Sequence, residues 1–231
     1  DKVLTRDDTT FIKSTYLDNP FLADELVREI ERLRDTDEEY WKIYGLGERG
    51  FSKAIIFPKV TIIGKVPEDA TLISTGLDFG FTNDPSALIE VYEQEGALIF
   101  NELIYERGLT NFDLTKRMGS FGIDRRRPIF ADSSEPKSIE EIYRLGFNIK
   151  PCVKGKDSIN IGIDLLKRYN LKVTSKSTNL ISEFNNYKWV EDKNGHLLNK
   201  PIDNHNHAID SLRYAVTMVK SKPRSGKYSI R

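Results

Sequence analysis

The segment 71–85, which reads TLISTGLDFGFTNDP, decides the fold. It begins with a mainly apolar stretch that ends on the carboxylate of Asp78. Residues 71–78 predict a buried β-strand. An ionised carboxylate at its end is costly to bury without a cation or hydrogen-bond donors, and the following Gly80 lets backbone or ligand approach closely. Asp78 is therefore a candidate site residue, with capping of the next turn as the alternative.

The elements that follow alternate in a way that specifies the sheet. Two further strands, 87–92 and 98–105, flank the turn EQEG at 93–96, so three consecutive strands are expected to be antiparallel. The remaining predicted elements are a helix at 111–121, a strand at 128–132, a helix at 136–145, a strand at 147–151, a helix from 158, a strand at 171–174, a helix at 179–186 and a closing helix at 204–220. This order predicts an α/β protein with a ribonuclease H-like mixed sheet, three antiparallel strands followed by parallel ones, and helices on both faces.

A β-hairpin is expected to project from this domain at about 187–199, because two short strands flank Asn194-Gly195, a strong turn signal. The ribonuclease H-like domain itself is predicted to span 54–220. The tail 221–231 is basic without an acid and is expected to be disordered and solvated.

Residues 1–53 differ from the rest and predict an N-terminal arm or linker. The segment 18–20, Asp-Asn-Pro, predicts a helix start, since an Asx cap is followed by proline in the first turn. A second short helix is expected over 37–44. The chain has no initiator methionine and is expected to be a piece of a longer protein.

Composition narrows the class of protein. With 231 residues, 39% hydrophobic and 30% charged, the chain is predicted to be globular, without a membrane span or signal peptide. A single cysteine, Cys152, excludes an internal disulfide and a cysteine-based zinc cage, and its position at a strand end favours a structural role. Thirty-five basic residues balance 35 acidic ones, which argues weakly against a nucleic-acid binder. A nuclease, however, clusters carboxylates for metal and keeps cations elsewhere for phosphate.

Two further segments carry candidate site residues. PIFADSSEP at 128–136 is again a short apolar strand that ends on Asp132, although this residue could instead cap the next helix. NHNHAIDSLRYA at 204–215 sets His207 and Asp210 three residues apart, on one helix face. Solvated polar residues are the alternative there.

Together the three aspartates suit a centre with two divalent cations. Such a pair, about 3.5–4 Å apart, activates water and stabilises the attacking and leaving oxygens in phosphodiester hydrolysis. Oxygen ligands favour Mg²⁺ or Mn²⁺ over Zn²⁺.

The combined motifs resemble the nuclease domain of tailed-bacteriophage terminase large subunits. The resemblance rests on GLDFGFTNDP at 76–85, ADS at 131–133, KGKDSI at 154–159 and NHAIDSLRYA at 206–215, and STYLDNP at 14–20 resembles the segment that joins the packaging ATPase to the nuclease. It implies an endonuclease that cuts concatemeric double-stranded DNA during packaging, with Asp78, Asp132 and Asp210 as the metal-binding triad. His207 would be an accessory ligand or proton handler, or a helix-face histidine bonded to a neighbour.

Several basic residues are candidate DNA contacts. Lys154 and Lys156 lie in a glycine-containing loop before the helix that opens at Ser158, where ammonium groups and helix amides could bind a phosphate. Lys188 and Lys193 on the hairpin could follow the DNA backbone. Trp189 is expected to pack on the sheet, and the run at 125–127, Arg-Arg-Arg, is expected to be mainly solvated.

The resemblance also implies partners: the packaging ATPase domain, the small terminase subunit and the portal, in the cytoplasm of a bacterial host, with the isolated domain monomeric. The phosphate-binding motif of translocating ATPases is absent from the sequence, so this stretch is not expected to be the motor. Two alternatives stay open. Residues 78–82 also resemble a phosphate loop of actin-like and sugar-kinase ATP-binding domains, and a transposase or integrase of the DDE type would share the fold and metals.

Overall fold

The computed structural model of the chain describes residues 10, 12–36, 40–47, 54–193 and 196–221. These fall into two compact units, divided between residues 53 and 54. The predicted disordered tail lies outside the described residues apart from Ser221. Among the described residues, none of the helices combines the length and apolar character needed to cross a membrane.

The first unit is helical, but its main helix begins later than the sequence predicted. A 3-10 helix covers Tyr16–Asp18, helix α1 covers Asp24–Thr36, and a π-helical turn covers Trp41–Gly45. Asn19 accepts a hydrogen bond from the amide of Phe21 at 3.1 Å, so the Asp-Asn-Pro segment forms a local turn and not a helix start. Of the second predicted helix, residues 37–39 lie outside the described chain.

The second unit is built on a seven-stranded mixed sheet in the order β1-β7-β4-β3-β2-β5-β6. The strands are β1 Val60–Ile63, β2 Thr71–Asp78, β3 Ser86–Gln94, β4 Ala97–Glu106, β5 Ile129–Ala131, β6 Ile149–Pro151 and β7 Asn170–Thr174. Strands β2, β3 and β4 are antiparallel, as predicted, whereas β5, β6, β7 and β1 each run parallel to their neighbours. The turn between β3 and β4 has positive φ at Glu95 and Gly96, which matches the right-handed twist of the flanking strands.

Helices cover both faces of this sheet. They are α2 Asn111–Ser120, α3 Pro136–Arg144, α4 Ser158–Leu166, α5 Thr178–Asn186 and α6 His207–Lys220. Side chains alternate along β3: Ala87 and Ile89 join the core beneath α6, while Leu88 joins a second core with Leu114 of α2 and Ile142 of α3. The predicted fold class is therefore confirmed.

The predicted hairpin forms a separate two-stranded sheet, with β8 at Trp189–Glu191 and β9 at Leu197–Pro201. Trp189 packs against the core, as expected, and the ammonium of Lys167 lies 5.2 Å from its ring centre. Asn160 of α4 donates a hydrogen bond to the carbonyl of Asn199 at 3.1 Å. The base of the hairpin is thereby tied to the start of α4.

Candidate active site

Strand pairing brings the first two aspartates together. Strand β2 runs parallel to β5, and Leu77 is paired with Ala131. Asp78 is the last residue of β2, and Asp132 directly follows the last residue of β5. The carboxyl ends of two adjacent parallel strands thus carry a carboxylate at equivalent positions, where open α/β sheets place their ligands.

Helix α6 adds Asp210 and His207 to this edge of the sheet. The helix packs across β2 and β3, and it approaches β2 closely at Gly76, where a β-carbon would lie only 2.5 Å from the carbonyl carbon of Ser211. Asp78, Asp132, Asp210 and His207 line one open cavity of about 430 Å³. Phe79, Asp84, Arg107 and Tyr214 are also in its wall.

Asp78 is the most buried carboxylate of the cavity, with 8% of the residue exposed. Its Oδ2 lies 3.1 Å from Nδ1 of His207, and Nε2 of the same ring lies 3.5 Å from Asp84. Burial raises the pKa of Asp78 to about 6; His207 counteracts this effect, and the negative charges of Asp210 and Asp132 add to it. The hydrogen bond to Asp78 in turn raises the pKa of His207.

Asp132 is bound on both carboxylate oxygens. The ammonium of Lys154 forms an ion pair with Oδ1, which also accepts the amide of Ser134 at 2.8 Å. The Tyr214 hydroxyl donates to Oδ2 at 3.3 Å. Partial burial works in the opposite direction, but the ammonium and the amide hold the pKa of Asp132 below its usual range. This carboxylate is therefore ionised at neutral pH.

Asp210 has a rigid cationic partner one helical turn away. Nη2 and Nε of Arg213 lie 3.0 and 3.2 Å from its Oδ1, and only 5% of the arginine side chain is exposed. The arginine passes over Gly162 of α4, where a β-carbon would lie 2.6 Å from its Cδ. Burial raises the pKa of Asp210, while the guanidinium lowers it.

The start of α6 is fixed by a buried carboxylate from α5. Glu183 accepts the backbone N–H of Ile209 at 2.9 Å and the Tyr105 hydroxyl at 2.8 Å. A carboxylate at a helix N-terminus satisfies amides that lack an intrahelical partner and complements the helix dipole. Glu183 thus sets the position of the turn that carries His207 and Asp210.

The candidate DNA contacts are dispersed. Lys156, Lys188 and Lys193 are exposed, and none of them lines the cavity that holds the aspartates. Ser158 is half-buried, and its carbonyl lies 3.5 Å from Nη1 of Arg213. Lys154 forms an ion pair with Asp132, although 37% of its side chain is exposed.

Two arginines of the run at 125–127 have structural partners. Arg125 donates to the carbonyl of Leu145 at 2.8 Å and lies 4.4 Å from the ring centre of Phe147. Arg127 donates to the carbonyl of Leu72 at 2.6 Å. These side chains fasten the start of β5 to the sheet, which the sequence did not predict.

The residues that support the aspartates were not predicted from the sequence. Arg213, Tyr214 and Glu183 were not singled out, nor was Arg107, an exposed cation in the cavity wall. Only Arg213 carried a local signal, because it lies three residues after Asp210 on the same helix face.

Cys152, for which the sequence favours a structural role, is 5% exposed, and burial raises the pKa of its thiol.

The chemistry of the donor set fits Mg²⁺ or Mn²⁺. Three carboxylates at one cavity supply hard oxygen ligands, and their mutual repulsion is relieved by a divalent cation. With the side chains as they stand, no three His, Cys, Asp or Glu residues in the described part of the chain are close enough to share an ion. Each aspartate instead pairs with a basic side chain: Asp78 with His207, Asp132 with Lys154 and Asp210 with Arg213.

Comparison with known families and proteins gives consistent matches. The terminase RNase H-like domain family matches residues 78–218, and the phage terminase large subunit family matches residues 1–48. The large terminase subunit of Bacillus phage SPP1 is 33% identical over 220 residues, which cover 89% of this chain and 51% of that protein. The PBSX phage terminase large subunit of Bacillus subtilis strain 168 is 26% identical over 93% of this chain and 52% of its own length. The chain thus spans about half the length of the curated relatives it matches.

Solved structures agree with the fold. The nuclease domain of the SPP1 large terminase, crystallised with bound Mn, has a TM-score of 0.62 and 25% identity, over 70% of this chain and 97% of that one. The nuclease of the large terminase from thermophilic phage G20c, with bound magnesium, has a TM-score of 0.54 over 72% and 98% of the two chains. At 19% identity, this second likeness concerns the fold alone.

Proposed function

The chain belongs to the family of phage terminase large subunits, through its RNase H-like nuclease domain, and on that premise we propose that it is a metal-dependent endonuclease. Its substrate would be double-stranded, concatemeric viral DNA, cut during genome packaging by phosphodiester hydrolysis. The observation that carries this proposal is the convergence of Asp78, Asp132, Asp210 and His207, from three separate elements, on one cavity.

The three aspartates would hold the metal. Asp78 and Asp132 follow paired positions of adjacent strands, and Asp210 approaches from the helix above them. Two Mg²⁺ or Mn²⁺ ions, when bound, would supply an activated water and neutralise charge on the phosphate oxygens. The SPP1 large terminase nuclease domain, crystallised with bound Mn, supports this choice of ions.

His207 would be an accessory residue that handles a proton or contributes a ligand. Its ring lies between Asp78 and Asp84, so both nitrogens face carboxylates. These carboxylates favour the protonated ring, and a protonated imidazole beside the scissile bond could donate to a leaving oxygen. Its removal should slow cleavage without abolishing it.

Phosphate contacts would surround this cavity. Lys156, Lys188 and Lys193 offer exposed ammonium groups, and Lys154 and the backbone near Ser158 lie at the start of α4. Contacts of this kind carry no base information, so cleavage by this domain should be poorly sequence-specific and binding should weaken steeply with salt.

The division of the chain follows from the same family membership. We propose that 1–53 is the arm from the ATPase side, that 54–220 is the nuclease domain and that 221–231 is a basic tail. In the whole protein, the ATPase domain, the small subunit and the portal would be its partners, in the cytoplasm of the bacterial host. The isolated nuclease domain would be a monomer.

Plasmid cleavage tests the proposal. Supercoiled DNA should be nicked and linearised with Mn²⁺ or Mg²⁺ and left intact with EDTA. Asp78→Ala, Asp132→Ala and Asp210→Ala should each abolish cutting. Each variant should still unfold cooperatively on heating in EDTA, which shows that it is folded. Asp164→Ala, at an exposed position of α4, is the matched control and should cut normally. Normal cutting by all three cavity variants would overturn the site assignment.

A further inference from the structure

The ion pair between Lys154 and Asp132 also involves Tyr214. Lys154 lies on the loop between β6 and α4, and its ammonium contacts Oδ1 of Asp132 and lies 5.4 Å from the ring centre of Tyr214. That tyrosine donates to the other carboxylate oxygen. Both oxygens of a proposed metal ligand are thus occupied by donors of the chain itself.

The two cationic partners of Asp132 and Asp210 differ in how firmly they are held. Arg213 is 5% exposed, contacts its carboxylate through two nitrogens and is enclosed by α4 at Gly162. The Lys154 side chain is 37% exposed and stands on a loop with Gly155 next to it. A lysine is a point charge on a flexible stem, whereas a buried arginine in a two-nitrogen contact is fixed. Lys154 can therefore leave its carboxylate, and Arg213 cannot leave without unpacking α6 from α4.

We propose that Lys154 is a displaceable counter-ion of Asp132, which competes with the divalent cation for this carboxylate. This inference rests on the proposed function, since it requires Asp132 to be a metal ligand. While Lys154 is in place, its charge offsets the repulsion among the three aspartates and keeps Asp132 ionised. A metal ion that binds Asp132 must compete with this ammonium for the carboxylate, so the ion pair lowers the affinity of the centre for metal.

The affinity for Mn²⁺ should change when Lys154 is replaced. Lys154→Gln removes the competing charge but keeps a polar side chain, so Mn²⁺ should bind more tightly, by roughly two- to fivefold, the range expected for losing a partly exposed ion pair. Lys154→Arg keeps the charge and should bind Mn²⁺ about as the parent chain does. Lys156→Gln makes the same charge change two residues away, at an exposed side chain, and should alter affinity by less than about twofold.

The experiment is calorimetric titration of the full chain with Mn²⁺ in the absence of DNA, so its readout does not depend on cleavage. Thermal unfolding in EDTA verifies that each variant is folded. A double-mutant cycle with Asp132→Asn isolates the pair, because Lys154→Gln should have a smaller effect once the carboxylate is gone. If Lys154→Gln binds Mn²⁺ no more tightly than the parent, or gains no more than Lys156→Gln, the inference is wrong.

Failure of the proposed function would look different. If the parent chain binds no Mn²⁺, or if Asp132→Asn leaves its binding unchanged, Asp132 is not a metal ligand, and the proposed metal centre and the inference fall together. If Asp132→Asn weakens binding while Lys154→Gln has no effect, the metal centre stands and only the counter-ion role of Lys154 is refuted.

Discussion

Replacement of Gly76 by alanine should push helix α6 away from strand β2. Gly76 is paired with Ile89 of β3 on one side and with Phe130 of β5 on the other, so β2 cannot retreat. The new β-carbon would lie 2.5 Å from the carbonyl carbon of Ser211 and 3.0 Å from its hydroxyl oxygen. Since carbon atoms pack at about 3.5–4.0 Å, helix α6 must shift outward by about 1 Å or more.

The cost of this shift follows from the tight packing it disturbs. Overpacking a core typically costs about 1–3 kcal/mol, and a clash with backbone belongs at the upper end of that range. For a domain of this size, about 3 kcal/mol lowers the melting temperature by roughly 6–12 °C. The displaced helix also carries Asp210 and His207 away from Asp78, so Mn²⁺ affinity and plasmid cleavage should both fall.

Thermal unfolding by circular dichroism measures the first effect, and calorimetry with Mn²⁺ measures the second. Gly119→Ala is the control, because Gly119 is exposed on α2 and its β-carbon would meet no atom within 4 Å. Alanine there should stabilise the helix by up to about 1 kcal/mol. A Gly76→Ala protein that melts and binds Mn²⁺ like the parent would refute the close approach of α6 to β2.

Three further substitutions test other contacts of the site. Gly162→Ala should displace Arg213 from Asp210, lower stability by about 1–3 kcal/mol and weaken Mn²⁺ binding; unchanged melting would contradict the packing. Tyr105→Phe removes a hydrogen-bond donor from buried Glu183 and should lower the free energy of unfolding in urea by about 1–3 kcal/mol. An unchanged free energy would mean that Glu183 does not depend on the Tyr105 hydroxyl. The pKa of Asp78 is raised from 3.8 to about 6 in the folded protein. The protonated Asp78 therefore contributes to stability in full below the pKa of the unfolded chain, and this contribution is lost as pH rises through about 6. In EDTA, Asp78→Asn should therefore gain stability relative to the parent between about pH 4 and pH 8, by up to about 3 kcal/mol; a pH-independent difference would argue against the buried carboxylate.

Much of the fold was predictable because its signals are local. Strand alternation, the turn at 93–96 and the helix spacing of α6 each depend on neighbouring residues, while the turn predicted at Asn194-Gly195 lies outside the described residues. The predicted strands and helices of the second unit match the observed ones to within a few residues. Strand β1 was not predicted as a separate element, although its four residues are all β-branched, as is typical of a strand. Its place at the edge of the sheet depends on pairing with the distant β7.

The sequence by itself determined that two apolar strands and one amphipathic helix each carry an aspartate, and family resemblance predicted that these form one site. Only the tertiary structure decided which side chains neutralise them. Lys154 reaches Asp132 from a loop 22 residues further along the chain, and Glu183 of α5 accepts an amide at the start of α6. Such pairings depend on how distant elements pack, and no short-range spacing encodes them. The local pattern thus fixes where the carboxylates lie along the chain, and long-range packing fixes their charge and their partners.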